Sequence, residues 1–174
     1  MFFCYNTLVR NTILSVTNFL YVDDEYLMLH RQSNAPVDAN KLNGIGGKLE
    51  KGENYLDAAI RETKEETGYI VSAENISFVG LVRLEGGYPD DWVMAFFKIK
   101  VDSKEIPHGE NVKDGKLLWM HKDTVLSSEI QLVDDLHYCW KEIVNNETFF
   151  MSTIVGEDEK IKSYTISKLP PSSF

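Results

Sequence analysis

Residues 43–69 read NGIGGKLEKGENYLDAAIRETKEETGY. The stretch joins a glycine-rich loop, a charged turn and a glutamate-rich segment, and no other part of the chain is so specific. From Asn54 to Thr67 there is neither Pro nor Gly, Ala58, Ala59 and Ile60 are good to fair helix formers, and Gly68 supplies the stop expected just past a helix end. The spacing predicts a helix over 54–67. At about 100° per residue, Glu62, Glu65 and Glu66 share an arc of roughly 100°, whereas Leu56, Ile60, Thr63 and Thr67 gather on another arc that is expected to be buried.

Three carboxylates on one arc repel one another, and a helix built only for solubility would pair them with Lys at i+4. A hard divalent cation removes the conflict, because it takes oxygen ligands and is commonly shared with substrate phosphates. Gly44, Gly46 and Gly47, just ahead of the helix, let the backbone approach such a ligand closely. The competing reading is a solvated acidic face.

The joint spacing goes further. Gly47, five residues, Glu53, seven residues, Arg61-Glu62, then Glu65-Glu66 and Gly68 is similar to the Nudix box, G-x5-E-x7-R-E-U-x-E-E-x-G-U with U usually aliphatic. Every fixed position is present, and the departures are Thr63 and Tyr69 at two U positions. The resemblance implies an α/β fold, the Nudix α/β/α sandwich with a mixed sheet, and a metal-dependent hydrolase of nucleoside diphosphates linked to another group. It also implies that Glu62, Glu65 and Glu66 hold divalent ions, that Arg61 orients a glutamate through a salt bridge, and that the Gly46 carbonyl adds a ligand. Mg²⁺ is the expected ion, with Mn²⁺ as its substitute. Glu66 or Glu65 is the expected general base, with Glu53 or Asp114 in reserve, since position and pKa decide that role.

Outside the box, 174 residues with 43% hydrophobic and 26% charged composition suit one domain. A formal net charge of −9 argues against a general DNA or RNA binder, because phosphate backbones are gripped by basic surfaces. The apolar start, MFFCYNTLVRNTILSVTNFLYV, is interrupted by Asn6, Arg10, Asn11 and Asn18 and has no basic beginning or small-residue cleavage site. Neither an export signal nor a membrane span is therefore expected. Cys4 and Cys139 lie far apart and are expected as free thiols in a reducing cytoplasm. Asn75-Ile-Ser77 and Asn146-Glu-Thr148 are read as chance glycosylation sequons.

Residues 13–22 and 26–31 read as a strand pair around Asp23-Asp24-Glu25, and 76–85 and 92–101 as a second pair around Gly86-Gly87-Tyr88-Pro89. Residues 32–41 and 102–115 read as polar loops, and 116–120 as a short strand. Residues 131–144 carry Leu132, Val133, Leu136, Trp140, Ile143 and Val144 at helical spacing, with Trp140 as core. Residues 148–155 and 161–166 close the chain as a C-terminal β-hairpin around Gly156-Glu157-Asp158-Glu159, with fraying expected from about residue 170. Arg31 ends a strand near the glycine loop, where it either meets phosphate or is solvated. Gly47 and Lys48 join it as expected substrate contacts.

Asn43 before GIGGK, the Asp134-Asp135 pair and the closing hairpin resemble the MutT-like branch that hydrolyses oxidised purine triphosphates such as 8-oxo-dGTP. That resemblance implies that Asn43, Asp134 and Asp135 hydrogen-bond the purine edge, as an amide and carboxyls can. Asp134-Asp135 near a helix start would equally complement the helix dipole. Leu132 stands where a member of that branch carries a stacking Trp, which puts selectivity for oxidised purines in question. Asp114, five residues before Trp119, is the expected extra metal-ligand carboxylate, with Glu110 as its neighbour and substitute. The expected activity is release of a nucleoside monophosphate and pyrophosphate by a monomer or homodimer. The alternatives are ADP-ribose, nucleotide sugars or dinucleoside polyphosphates as substrates, or a nucleotide-sensing domain without catalysis.

Overall fold

A computed structural model describes residues 10–170. The first nine residues of the apolar start, Cys4 among them, and the expected frayed end beyond residue 170 lie outside the described residues. Nine strands, β1 (Thr12–Val22), β2 (Glu25–Arg31), β3 (Leu42–Asn43), β4 (Ile76–Gly86), β5 (Asp91–Lys100), β6 (Asn111–Val112), β7 (Gly115–His121), β8 (Phe149–Val155) and β9 (Ile161–Lys168), form one mixed sheet. Its order is β6-β7-β2-β1-β5-β4-β8-β9, with β3 paired to β2 off this path. The β1–β5 and β4–β8 pairs are parallel, and the remaining pairs are antiparallel. Helices α1 (Tyr55–Thr67) and α2 (Leu136–Val144) cover opposite faces, giving the expected α/β/α sandwich with its closing hairpin β8–β9.

Alternation along β1 builds both layers. Val16 and Leu20 face α1 with Ala58 and Ala59, while Phe19 faces α2 and meets Phe96 and Trp140 edge to face at 5.4 and 5.8 Å. Trp140 is core, as its spacing indicates. Helix α1 starts at Asn54, whose side chain accepts from the Leu56 and Asp57 N–H groups, and stops at Gly68, which adopts φ 81° and donates to the Lys64 carbonyl.

The buried face of α1 differs from the expected one. Leu56 is exposed and Ile60 only half-buried, whereas Ala58, Ala59, Glu62, Thr63 and Thr67 are buried. The stripe is rotated because β1 holds the helix through polar contacts. Asn18, fully buried, donates to the Ala59 carbonyl at 2.9 Å and to Thr63 Oγ1 at 3.1 Å. Thr63 thus departs from the aliphatic pattern because its hydroxyl is a hydrogen-bond partner. Tyr69, the other departure, is buried and donates its hydroxyl to the Ser103 carbonyl at 2.7 Å.

The second helix also corrects the sequence reading: it begins at Leu136, not at residue 131. Residues 131–133 are extended beside β3, where the Leu42 N–H donates to the Gln131 carbonyl and the Val133 N–H to the Leu42 carbonyl. Leu132 and Val133 are buried through that bridge, so their apolar character was read correctly but assigned to the wrong element. Strands β3 and β6, two residues each, were too short to carry an alternation.

Candidate active site

The site begins where the loop after β3 runs back along β1. The Val16 N–H donates to the Gly47 carbonyl, and Asn18 and Ile45 exchange backbone hydrogen bonds. At Gly46 a Cβ would lie 2.2 Å from the Val16 carbonyl oxygen, and at Gly47 it would lie 2.3 Å from Glu62 Oε1. The second contact explains the glycine chemically: the space a side chain would occupy holds a carboxylate.

Arg61 is the hub of the acidic cluster. It donates to both oxygens of Glu53 at 2.8 and 2.9 Å, to Glu62 at 2.7 Å, to Glu65 at 3.2 Å and to the Lys48 carbonyl at 3.1 Å. A planar guanidinium suits this forked geometry. Glu53 is pulled down to about 2 by Arg61 and by the Glu50 N–H, so it stays ionised and engaged, an arrangement suited to positioning and not to taking a proton.

Glu66 has the opposite environment. Its one hydrogen bond among the described residues comes from the Gly46 N–H at 3.2 Å. Burial first, then the charges of Glu62 and Asp114, push its carboxyl up to about 8. Burial also raises Glu62, against the opposing pull of Arg61. Glu65 is more open, with 60% of its side chain exposed.

Glu62 and Glu66 open onto a cavity of about 590 Å³ that is also lined by Asp114, Arg31, Asn43, Gly46, Gly47 and Lys48. A second cavity of about 380 Å³ shares Glu62, Glu66, Lys113 and Asp114 and adds Glu65 and His108. Three cations, Arg31, Lys48 and Lys113, therefore stand around the carboxylates of the larger cavity. Arg31 is oriented by donating to the Val37 carbonyl at 3.1 Å.

Among the described residues, no three Asp, Glu, His or Cys side chains converge as a ready-made metal cage. The donor set nevertheless fits a hard divalent cation. Glu62, Glu66 and Asp114 are oxygen donors around one cavity, mutually repelling and short of hydrogen-bond partners at Glu66.

The other end of the cavity differs from the sequence reading. Asp134 and Asp135 do not line it. Asp134 accepts from the Ile161 N–H at 2.7 Å and from Lys160 at 3.0 Å, which fastens the closing hairpin. Asp135 is the N-cap of α2, accepting from the Leu136 N–H, and burial followed by the nearby Asp38 charge raises it to about 7. Asn43 does line the cavity, with its Oδ1 accepting from the Gly44 N–H at 2.7 Å. The residues found there instead, Asp38, Leu84, Tyr88, Trp92 and Met94, come from the 32–41 loop, β4, β5 and the turn between those strands. The loop, the strands and the GGYP turn were each legible as elements, but no pattern in them marked a wall of the cavity.

The comparisons agree with this geometry. A family model described as the NUDIX domain matches residues 12–140, and the chain belongs to that family. It is 33% identical over 107 residues to an uncharacterized Nudix hydrolase, YvcI, of Bacillus subtilis, covering 60% of this chain and 63% of that protein's length. The chain thus spans somewhat under two thirds of that curated relative. A MutT protein from Bacillus halodurans shares the fold with a TM-score of 0.74 at 24% identity, covering 89% of this chain and 97% of the other. A Francisella tularensis protein, described as a bifunctional NMN adenylyltransferase/ADP ribose pyrophosphatase complexed with AMP and a Mn ion, superposes with a TM-score of 0.56 at 18% identity. That match covers 79% of this chain and 41% of that one. Among the described residues, no helix is long and apolar enough to cross a membrane.

Proposed function

We propose that the chain is a Mg²⁺-dependent nucleoside triphosphate pyrophosphohydrolase, releasing a nucleoside monophosphate and pyrophosphate, with purine triphosphates such as 8-oxo-dGTP as the first substrates to test. The observation that carries this reading is the meeting of Glu62, Glu66 and Asp114 with Arg31, Lys48 and Lys113 around one cavity. Carboxylates alone would repel a polyphosphate, and cations alone would bind it without activating water. A divalent ion held by Glu62, Glu66, Asp114 and the Gly46 carbonyl, with Glu65 at the open side, would neutralise phosphate charge and acidify water.

The chain's own groups then divide the work. Arg31, Lys48 and Lys113 orient the polyphosphate. Arg61 fixes Glu62 and Glu65, and Glu53 fixes Arg61 in turn. Glu66, which makes one hydrogen bond among the described residues, accepts a proton from the attacking water as the water oxygen bonds to phosphorus and the bridging P–O bond breaks, its oxygen leaving with the departing phosphate. The test is pyrophosphate and phosphate release from 8-oxo-dGTP, dGTP, dATP, nucleotide sugars and ADP-ribose with Mg²⁺. Fastest pyrophosphate release from a purine triphosphate supports the reading; turnover confined to ADP-ribose or a sugar nucleotide removes it.

One observation favours a second reading. The two cavities lie against the same carboxylates, as the two halves of a linked diphosphate such as ADP-ribose would require. The same panel separates the two.

A further inference from the structure

The wall of the cavity away from the glutamates is built around one carboxylate. Arg31 pins the Val37 carbonyl, and the chain then turns through Asp38 and Asn40 at φ 54° and 58°. Left-handed backbone is uncommon outside glycine, though short polar side chains tolerate it best. Asp38 Oδ1 accepts from Lys41 Nζ at 2.9 Å and from the Tyr88 hydroxyl at 3.3 Å. Lys41, itself buried, also donates to Glu159 in the β8–β9 turn at 2.6 Å. Lys41 and Tyr88 thus hold Asp38 through one oxygen, and Glu159 holds Lys41 in turn. Among the described residues Oδ2 accepts no hydrogen bond, and the side chain lines the cavity with only 14% of its surface exposed.

A second unpaired group lies beside the same space. Ser15 lines the cavity, is 4% exposed, and its Oγ has no partner among the described residues. A buried hydroxyl left without a partner costs stability.

We propose that Asp38 is the specificity-determining residue of this cavity, accepting from the adjacent N–H donors of a 2-amino-6-oxopurine while Asn43 donates to its 6-oxo oxygen. The proposal rests on the nucleotide reading above. A carboxylate oxygen carries two acceptor positions, which matches the ring N1–H and the exocyclic 2-amino group side by side. Adenine presents a ring lone pair at N1 and is repelled. Asn43 spends its oxygen on the Gly44 N–H, so its amide NH₂ is what remains for the base, and that group suits a carbonyl oxygen. Leu84, Tyr88, Trp92 and Met94 supply apolar walls for a flat ring. Guanine and 8-oxoguanine share this edge, so Asp38 selects the base and is indifferent to its oxidation.

The test is titration calorimetry of dGMP, 8-oxo-dGMP, dIMP and dAMP with Mg²⁺ against the wild-type chain, Asp38→Asn and Glu159→Gln. In the wild type the expected order is dGMP and 8-oxo-dGMP together, then dIMP, which lacks the 2-amino group, then dAMP. Asp38→Asn should weaken dGMP by roughly tenfold to a hundredfold without weakening dAMP. Glu159→Gln, which loosens the clamp, should lower the dGMP to dAMP ratio by a smaller factor. Equal affinities of the wild type for dGMP, dIMP and dAMP overturn the proposal even if Asp38→Asn does not fold, and so does an unchanged ratio in a folded Asp38→Asn. Base-selective binding without hydrolysis of any nucleotide overturns the hydrolase reading and keeps Asp38. Hydrolysis without Asp38-dependent selectivity does the reverse.

Discussion

The cavity has two ends with different construction. At the phosphate end, Gly46, Gly47, Glu53, Arg61, Glu62 and Glu66 lie within 21 residues of one another, on a loop and a helix joined by a short turn. At the other end, Asp38 and Tyr88 come from separate parts of the chain, and Lys41 reaches Glu159 across 118 residues of sequence. The first end is a local motif whose spacing encodes its geometry. The second is a product of tertiary packing, and beside it Asp134 and Asp135 bond the start of β9 and the start of α2, with Asp135 near enough to feel the Asp38 charge and for its own charge to bear on Tyr88.

The largest effect that would break this contrast is at the phosphate end. Glu62→Gln and Glu66→Gln should each lower Mg²⁺-dependent pyrophosphate release by roughly 10²- to 10⁴-fold while the protein remains folded. Near-normal turnover in both would dissolve the assignment of that end as the reaction centre. Gly47→Ala comes next. Its new Cβ would collide with Glu62 Oε1 at 2.3 Å and displace the carboxylate, so activity should fall about a hundredfold. An active Gly47→Ala enzyme would mean that the position of Glu62 is not critical.

A third test uses pH in the metal-free protein. Glu66 and Asp135 are raised to about 8 and about 7, above their ordinary values of 4.5 and 3.8, so the folded state holds their protons more tightly than the unfolded chain. Their contribution is fully present below the unfolded values and is lost as pH rises through 7 and 8. Glu53, lowered to about 2, acts in the opposite sense, and its contribution is lost only as pH falls from about 4.5 towards 2. The melting temperature without metal should therefore drop by several degrees, roughly, between pH 5 and 8.5. Mg²⁺ should reduce that drop if Glu66 is a ligand, because binding to the native state stabilises it. An identical decline with and without Mg²⁺ would separate Glu66 from metal binding.

The smallest effect sharpens the far end. Asp134→Asn weakens the contacts to Ile161 and Lys160 and should cost about 1 kcal/mol of stability by denaturant unfolding, with no change in base preference. A changed preference would support the base-reading role that the MutT-like resemblance implies for Asp134.

Much of this was legible in the sequence, for reasons that differ by region. The strands before and after the box alternate or run apolar because they pack against a helix on each face, so their boundaries were readable to within a few residues. The helix of the box was readable from its cap and its glycine stop. Its buried side was readable at Thr63 and Thr67 but not at Ala58, Ala59 and Glu62, because Asn18 anchors it by hydrogen bonds and apolar periodicity carries no trace of them. The start of α2 was misread because Leu132 and Val133 are apolar for a bridge to Leu42, and burial looks the same in either element. Asp38 could not be found at all: an aspartate in a polar loop carries no pattern, and its role depends on Lys41, Tyr88 and Glu159 arriving around it.

The contact between Lys41 and Glu159 also bears on how the molecule comes into being. Strand β8 docks in parallel on β4, and only then can the β8–β9 turn reach the loop that follows β2. Contacts of such long sequence separation slow folding towards milliseconds to seconds and are the last to be rewarded. The glycine loop and α1 find their partners in β1, β5 and β7, all made before the hairpin, whereas the Lys41–Glu159 contact waits for the closing hairpin. During synthesis the acidic cluster of the box would thus be assembled before the clamp on Asp38 is closed.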